Sequence, residues 1–309
     1  MNVKQKFVVS IYNPKIIMGD KRKMELCYKE ISENEYAEVM EMLLQDIETS
    51  EEFLWSLQNE PETLTAIYIE GKIVAVAQII PGKKVACLKV FVLPQYRRKG
   101  IGQSVVQYGE NKLNKEASKI ITNFHADNEV AKIFARKFGY EREFSSAYMK
   151  HTEGRFVIGE IPVRLYVDED YLESHALYAQ AFHEMRIKVG DFPDSMIEQP
   201  SEENRQGWKA DAANRFTYEE NHEIAGHGHL EGNEIGSVSV RTDLQGHGIG
   251  KEFVIYLCNE IYNRGYKEVV LWCVVGNNAR KLYDSLGFKE LYISEFAYKS
   301  IKSQKTMSS

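Results

Sequence analysis

The stretch Val238-Ser239-Val240-Arg241-Thr242-Asp243-Leu244-Gln245-Gly246-His247-Gly248-Ile249-Gly250 runs from an alternating apolar segment into a turn punctuated by glycines. An earlier stretch does the same: Val90-Phe91-Val92-Leu93-Pro94-Gln95-Tyr96-Arg97-Arg98-Lys99-Gly100-Ile101-Gly102. The interval from Gly100 to Gly248 equals that from Gly102 to Gly250, so the two copies are in register without a gap. An amphipathic segment follows each, with Val105, Val106 and Leu113 after the first and Phe253, Val254, Leu257, Cys258 and Ile261 after the second. The pattern is strand, glycine loop, helix.

That junction suits a phosphate. The first turn of a helix has backbone N–H groups without intrahelical partners and carries the positive end of the macrodipole. Glycines let an anion approach the backbone where a Cβ would collide. The first copy adds Arg97, Arg98 and Lys99, and the second has His247 with Lys251 just beyond. Two better-known phosphate loops do not fit. A Walker A loop needs Ser or Thr after Gly-Lys, and Gly250-Lys251 is followed by Glu252. The spacing of Gly246, Gly248 and Gly250 misses the dinucleotide fingerprint Gly-x-Gly-x-x-Gly.

Both loops resemble the pyrophosphate loop of the GNAT superfamily of acyl-CoA-dependent N-acyltransferases, Gln/Arg-x-x-Gly-x-Gly/Ala. They read Arg97-x-x-Gly100-x-Gly102 and Gln245-x-x-Gly248-x-Gly250. The superfamily's later motif appears as Ala279, Tyr283, Gly287 and Phe288, with an echo at Ala131, Ala135, Gly139 and Tyr140. The resemblance implies a tandem α/β (α+β) protein of two GNAT-like units, each a central mixed, mostly antiparallel sheet flanked by helices. It implies acetyl-CoA as co-substrate, no metal, and an amine-bearing acceptor as the second partner.

It also implies which residues act. The strand before the loop splays from its neighbour and pantetheine lies in the gap, against Val238, Ser239 and Val240 in the second half and Val90 and Val92 in the first. The loop and helix start, Gln245 to Lys251 (Gln245, Gly246, His247, Gly248, Ile249, Gly250, Lys251) and Arg97 to Gly102 (with Ile101), hold the diphosphate. Asn128 matches an asparagine that touches pantetheine in some members, and Asn277 stands near the corresponding place. Tyr283 matches the tyrosine that protonates the leaving thiolate. A phenol of pKa about 10 stays protonated at neutral pH beside a thiolate of pKa about 8.5. Glu234, six residues before Val240, matches a glutamate that serves as general base, and strand alternation places it on the face of Val238 and Val240. His227 and His229, one strand away, are alternative bases. A zinc reading of His222, His227, His229 and His247 lacks a completing ligand.

At the same offsets the first half has Ala135 for Tyr283 and Ala86 for Glu234. The second unit is therefore expected to catalyse and the first to be catalytically degenerate. The competing reading is a non-catalytic acyl-CoA-binding or regulatory tandem protein.

Composition sets the outer bounds. At 309 residues, 43% hydrophobic and 27% charged, the chain has the length and balance of about two globular domains. A formal charge of −6 speaks against nucleic acid as partner. The longest apolar run, Ile73 to Ile80, is short of the roughly 20 residues a membrane span needs. Cys27, Cys87, Cys258 and Cys273 form no C-x-x-C pair and read as buried hydrophobes, which suits the cytoplasm.

The expected organisation is an extension over 1–23, a first unit over 24–150, a connector over 151–162, a second unit over 163–300 and a tail over 301–309. Ser32 to Glu35 reads as a capping box opening a helix, with another over Ser50 to Gln58. Hairpins are expected at Thr65 to Ile80 and Phe216 to Leu230, and the first unit's closing strand near Ser145 to Met149. In the second half, Asp168 to Glu184 is expected to form a helix with Leu172, Ala176, Ala179 and Phe182 on one face. A polar insertion follows, over Lys188 to Gln206.

Overall fold

The computed structural model describes residues 15–17, 23–82, 84–113, 117–157 and 159–301. The chain forms two compact units, one from the described residues of Met1–Phe124, Asn128–Arg142 and Phe296–Ser309, the other from His125–Asp127 and Glu143–Glu295. Most of the expected extension and tail lies outside the described residues. Within the extension's span, β1 (Lys15–Ile17) pairs with β2 (Lys23–Glu25).

The first unit runs β3 (Cys27–Glu30), α1 (Tyr36–Leu43), α2 (Ile47–Asn59), β4 (Leu64–Ile69), β5 (Lys72–Ile80), β6 (Val85–Val92), α3 (Ile101–Leu113), β7 (Lys119–His125) and α4 (Glu129–Lys137), then enters β8 (Glu141–His151). The capping box forms, with Ser32 N donating to Glu35 Oε2 at 3.0 Å. Strands β3 to β6 are antiparallel neighbours. β6 runs parallel to β7, pairing from Val85↔Lys119 to Cys87↔Ile121. β4 and the middle of β5 are buried on both faces. Val39, Met42, Leu43, Phe53 and Leu57 of α1 and α2 cover one face, and Ile101, Val105 and Tyr108 of α3 the other. Double burial explains why Ile73 to Ile80 reads as an almost unbroken apolar run rather than an alternation.

The second unit repeats the order: β9 (Val163–Leu165), α5 (Tyr171–Val189), α6 (Glu202–Ala210), β10 (Arg215–Glu220), β11 (Glu223–Glu231), β12 (Glu234–Val240), α7 (Ile249–Asn263), β13 (Val269–Val274), α8 (Ala279–Ser285) and β14 (Lys289–Ser300). β9 to β12 are antiparallel, β12 and β13 parallel, and β13 pairs antiparallel with β8 from Val269↔His151 to Val274↔Ser146. Each unit is thus the expected mixed, mostly antiparallel sheet with flanking helices.

Three expectations need correction. The strand expected to close the first unit belongs, from Glu143, to the second. Ala147 and Met149 are buried in the second unit's core, and their ladder partners lie on β13. In exchange, the first unit takes Phe296 onward, where Ala297 is buried beside Ala86, Ile120 and Tyr140. Next, α5 turns a different stripe inward. Tyr171, Ser174, His175 and Leu177 are buried along with the expected Ala179, while Leu172 is 67% exposed and Ala176 is exposed too. Finally, the polar insertion contains a helix, α6, capped where Ser201 Oγ accepts from Asn204 N at 3.1 Å. Its only buried residue is Trp208, so no apolar period announces it in the sequence.

Residues 297–301 therefore pack onto the first unit. Lys299 Nζ contacts both carboxylate oxygens of Glu110 at 2.8 Å, and Ile301 N donates to Ser118 O at 2.8 Å. Deleting residues 296–309 is expected to lower the first unit's melting transition by roughly 5 °C or more, read by scanning calorimetry. A transition unchanged by the deletion would contradict this packing.

Candidate active site

In the second unit β12 and β13 pair at only two positions, Glu234↔Val270 and Ile235↔Leu271, and then part. A bulge accompanies the parting. β11 and β12 are in register from Gly226↔Val240 to His229↔Ser237, but Leu230 pairs with Ile235, leaving Gly236 as an extra residue on β12. A bulge adds local twist and interrupts the ladder, so the strand turns away from one neighbour while holding the other. Gly236 suits the position because a Cβ there would stand 3.2 Å from His229 Nδ1.

The bulge overturns one expectation. One extra residue reverses the alternation, so Ile235 joins Leu230 in the core while Glu234 pairs with Glu231. Val238 and Val240 pack against that same core, so Glu234 lies on the opposite face from them.

Beyond Val240 the loop is held by its own first residue, Gln245, whose Nε2 donates to Val240 O at 3.1 Å. Gly246 and Gly248 take φ of +86° and +95°, and α7 starts at Ile249. No atom lies within 4 Å of where a Cβ at Gly246 or Gly248 would sit. The loop therefore offers an anion an open backbone cradle ahead of a helix N-terminus, fitting a diphosphate.

Strands β12 and β13, the loop and helices α5, α7 and α8 enclose a cleft of about 750 Å³. Val238, Ser239, Val240, Gln245, Gly246, Gly248, Gly250, Lys251, Asn277 and Tyr283 all line it. His247 does not: it is exposed, with Nδ1 3.2 Å from Leu244 O. Ile249 is buried in the core. Asn277 Oδ1 accepts from Ala279 N at 2.9 Å and so starts α8. The sequence reading missed Phe182, Met185 and Val189 of α5, which form a wall, and Trp272 of β13. Phe182 was assigned only to a core face, and nothing in the local pattern of Met185, Val189 or Trp272 separates cleft lining from ordinary core.

Tyr283 is 7% exposed, and burial holds its phenol well above the ordinary pKa, so it remains protonated. Glu234 is half-buried outside the lining residues, and burial together with nearby Glu231 pushes its carboxyl up to about 7. His227 is fully buried and stacked on Trp208 at 4.4 Å, and burial lowers it to about 3, which keeps it neutral and out of reach. Cys258 and Cys273 are buried thiols pushed up to about 12 and about 11. Among the described residues no group of His, Cys, Asp and Glu could hold a metal ion, and no helix is long and apolar enough to cross a membrane.

The first unit builds the same loop with other surroundings. Arg98 and Gly100 have φ of +60° and +82°, and α3 begins at Ile101. Arg97 Nε donates to Val92 O at 2.8 Å, as Gln245 does in the second unit, and its guanidinium is ion-paired with Asp46. Lys99 Nζ lies over the Tyr96 ring at 5.1 Å. A Cβ on Gly102 would meet the Phe134 ring at 3.1 Å. Ala86 and Ala135 are buried in one core cluster, with Val90 packed against it and Val92 against the neighbouring one. Glu52 of α2 ties Lys89 of β6 to Asn123 of β7, accepting from Asn123 Nδ2 at 2.6 Å. Asn128 caps α4 by accepting from Ala131 N at 3.0 Å.

The raised pKa of Glu234 has a consequence for stability. Its ordinary value is 4.5 and its folded value about 7, so its ionisation opposes folding. Stability is fully present below the ordinary value and is lost as pH rises toward the folded one. Glu234→Gln is expected to raise Tm at about pH 8 and leave it unchanged near pH 4. Carboxyl NMR titration should place Glu234 near 7. It should move lower in Glu231→Gln.

Residues 28–140 match the family model described as Acetyltransferase (GNAT) family, and residues 216–297 match that described as FR47-like protein. No curated protein matches the chain. Among solved structures, a GCN5-related N-acetyltransferase from Sphaerobacter thermophilus aligns with a TM-score of 0.65 and 19% identity, covering 89% of this chain and 96% of its own. A putative acetyltransferase from Pyrococcus horikoshii gives 0.58 and 13%, covering 89% of each. A tandem GNAT protein from the clavulanic acid biosynthesis pathway gives 0.55 and 16%, covering 90% of this chain and 99% of its own. At these identities the structural likeness is one of fold. With a GNAT-type model matched in each half, the chain belongs to the GNAT acyltransferases as a tandem protein of two such units.

Proposed function

We propose that this chain is a cytoplasmic N-acetyltransferase that moves an acetyl group from acetyl-CoA to a primary amine, with the chemistry in the second unit. One coincidence of geometry supports the reading most: the parted strand, the glycine loop and Tyr283 border the same cleft.

The diphosphate of acetyl-CoA is assigned to the backbone cradle of Gly246 and Gly248, with Lys251 adding charge nearby. Pantetheine extends along β12 from Val240 toward Gly236, where strand backbone freed from β13 can bond to it. The walls from Phe182, Met185, Val189 and Trp272 exclude water from that arm. At its end an amine attacks the thioester carbonyl and the C–S bond breaks. Glu234, whose pKa of about 7 makes it an effective acceptor near neutrality, takes a proton from the ammonium. Tyr283 donates to the departing thiolate.

The non-catalytic reading fits the first unit. Ala135 leaves no proton carrier at the place of Tyr283, strand register puts Cys87 at the place of Glu234, and Glu52 bridges β6 and β7, which correspond to the parted strands of the second unit. We assign that unit a binding or structural role.

Thiol release from acetyl-CoA in the presence of a panel of amines tests the assignment. Tyr283→Phe is expected to lower kcat on the order of 10²-fold or more. Ala135→Tyr should leave kcat as it was. If Tyr283→Phe stays within about twofold of wild type while a first-unit loop substitution abolishes turnover, the roles of the units are reversed.

A further inference from the structure

The segment between α5 and β10, whose helix α6 stands where α2 stands in the first unit, ends on Asp211 beside β11. Asp211 Oδ2 lies 2.6 Å from His229 Nε2, and Asn214 Nδ2 donates to its other oxygen, Oδ1, at 2.6 Å. Arg215 stands 3.5 Å from the same Oδ2. With both oxygens engaged, the carboxylate is fixed and draws the imidazole proton to Nε2. Nδ1 is left with a lone pair. That nitrogen lies over Gly236, which borders the cleft at the bulge of β12. Trp208 anchors the segment, stacked on His227 at 4.4 Å and with the Arg215 guanidinium 4.6 Å from its ring.

We propose that His229, oriented by Asp211, is a second proton acceptor for the acceptor amine, set in place by the segment between α5 and β10. The inference rests on the acyl-transfer reading and adds to the role of Glu234. The ammonium gives a proton to His229 Nδ1 while Nε2–H stays bonded to Asp211. The freed nitrogen lone pair forms the C–N bond, the C–S bond breaks, Tyr283 protonates the thiolate, and the second proton that the acylated nitrogen loses restores the phenol. The imidazolium then releases its proton to water. Burial and the Arg215 charge hold His229 below its ordinary value of 6.5, against the opposing pull of Asp211 and Glu231, so it is neutral and able to accept at pH 7. By strand register the first unit has Gln78 for His229, since Gln78 pairs with Leu64 and Lys89 as His229 pairs with Arg215 and Ser237. Four residues before those first partners stand Glu60 and Asp211.

The test follows thiol release from acetyl-CoA to n-butylamine, and to water alone, from about pH 5.5 to about pH 9. His229→Gln should lower kcat/KM about tenfold and keep the acid limb near that of Glu234, and Asp211→Asn should reproduce it. Glu234→Gln should also lower kcat/KM, with its acid limb moved below 6.5, the ordinary value of a histidine. The double variant Glu234→Gln, His229→Gln should be inactive. The inference is overturned if His229→Gln stays within about twofold of wild type throughout, or if the double variant is no worse than Glu234→Gln. A loss uniform in pH and matched by a fall in Tm would also overturn it. Nitrogen-15 NMR gives a readout independent of turnover: the His229 proton should sit on Nε2, and finding it on Nδ1 sinks the proposal. Absence of thiol release from the wild-type protein together with the expected tautomer would instead fault the acyl-transfer reading.

Discussion

The parting of β12 from β13 after two paired residues is the constraint around which the second unit is arranged. A parallel pair in the middle of a sheet ordinarily satisfies its backbone groups by continuing the ladder. Here the bulge at Gly236 turns β12 away, and the strand edge beyond Ile235 borders a cleft instead of a neighbouring strand. Whatever lies in the cleft must supply hydrogen bonds that the sheet has given up. An extended amide-bearing arm suits that demand. The same bulge decides where the side chains go: it carries Ile235 into the core and moves Glu234 to the face opposite Val238.

The two units share a loop but not its consequences. In both, the residue that opens the loop bonds to the carbonyl five positions back, so Arg97 and Gln245 hold similar turns with dissimilar side chains. An arginine that looks like a phosphate ligand is thereby used to fasten the turn and to pair with Asp46. Phe134 crowds Gly102, Ala135 lies in the core, and Glu52 joins β6 to β7. Losing the tyrosine costs such a unit little in stability, since Ala135 is ordinary core.

The segment after α5 gives the second unit a polar helix where the first has α2 with its buried Phe53 and Leu57. A short polar helix has little intrinsic stability, and α6 depends on a single buried side chain, Trp208. That anchor sets the position of Asp211, and Asp211 in turn sets the tautomer of His229. Buried His227 belongs to the anchor rather than to the chemistry, since a neutral imidazole stacked on an indole has no access to the cleft.

The sequence by itself determined the repeat, the two glycine loops, the order of strands and helices, and the alanine that replaces Tyr283 in the first unit. These are local or periodic signals, readable because glycine at positive φ and alternating burial leave marks at fixed spacing. Tertiary structure alone decided which unit each closing strand serves. Residues 143–150 and 296–301 are both alternating segments, and only their ladder and core partners distinguish them. It decided the face of Glu234, because a bulge is one uncounted residue in a strand whose apolar pattern looks regular. It also gave different surroundings to His227 and His229, identical residues two positions apart on β11. Trp208 stacks on the first and Asp211 bonds to the second, and both arrive from a segment whose spacing gives no sign of where it will pack.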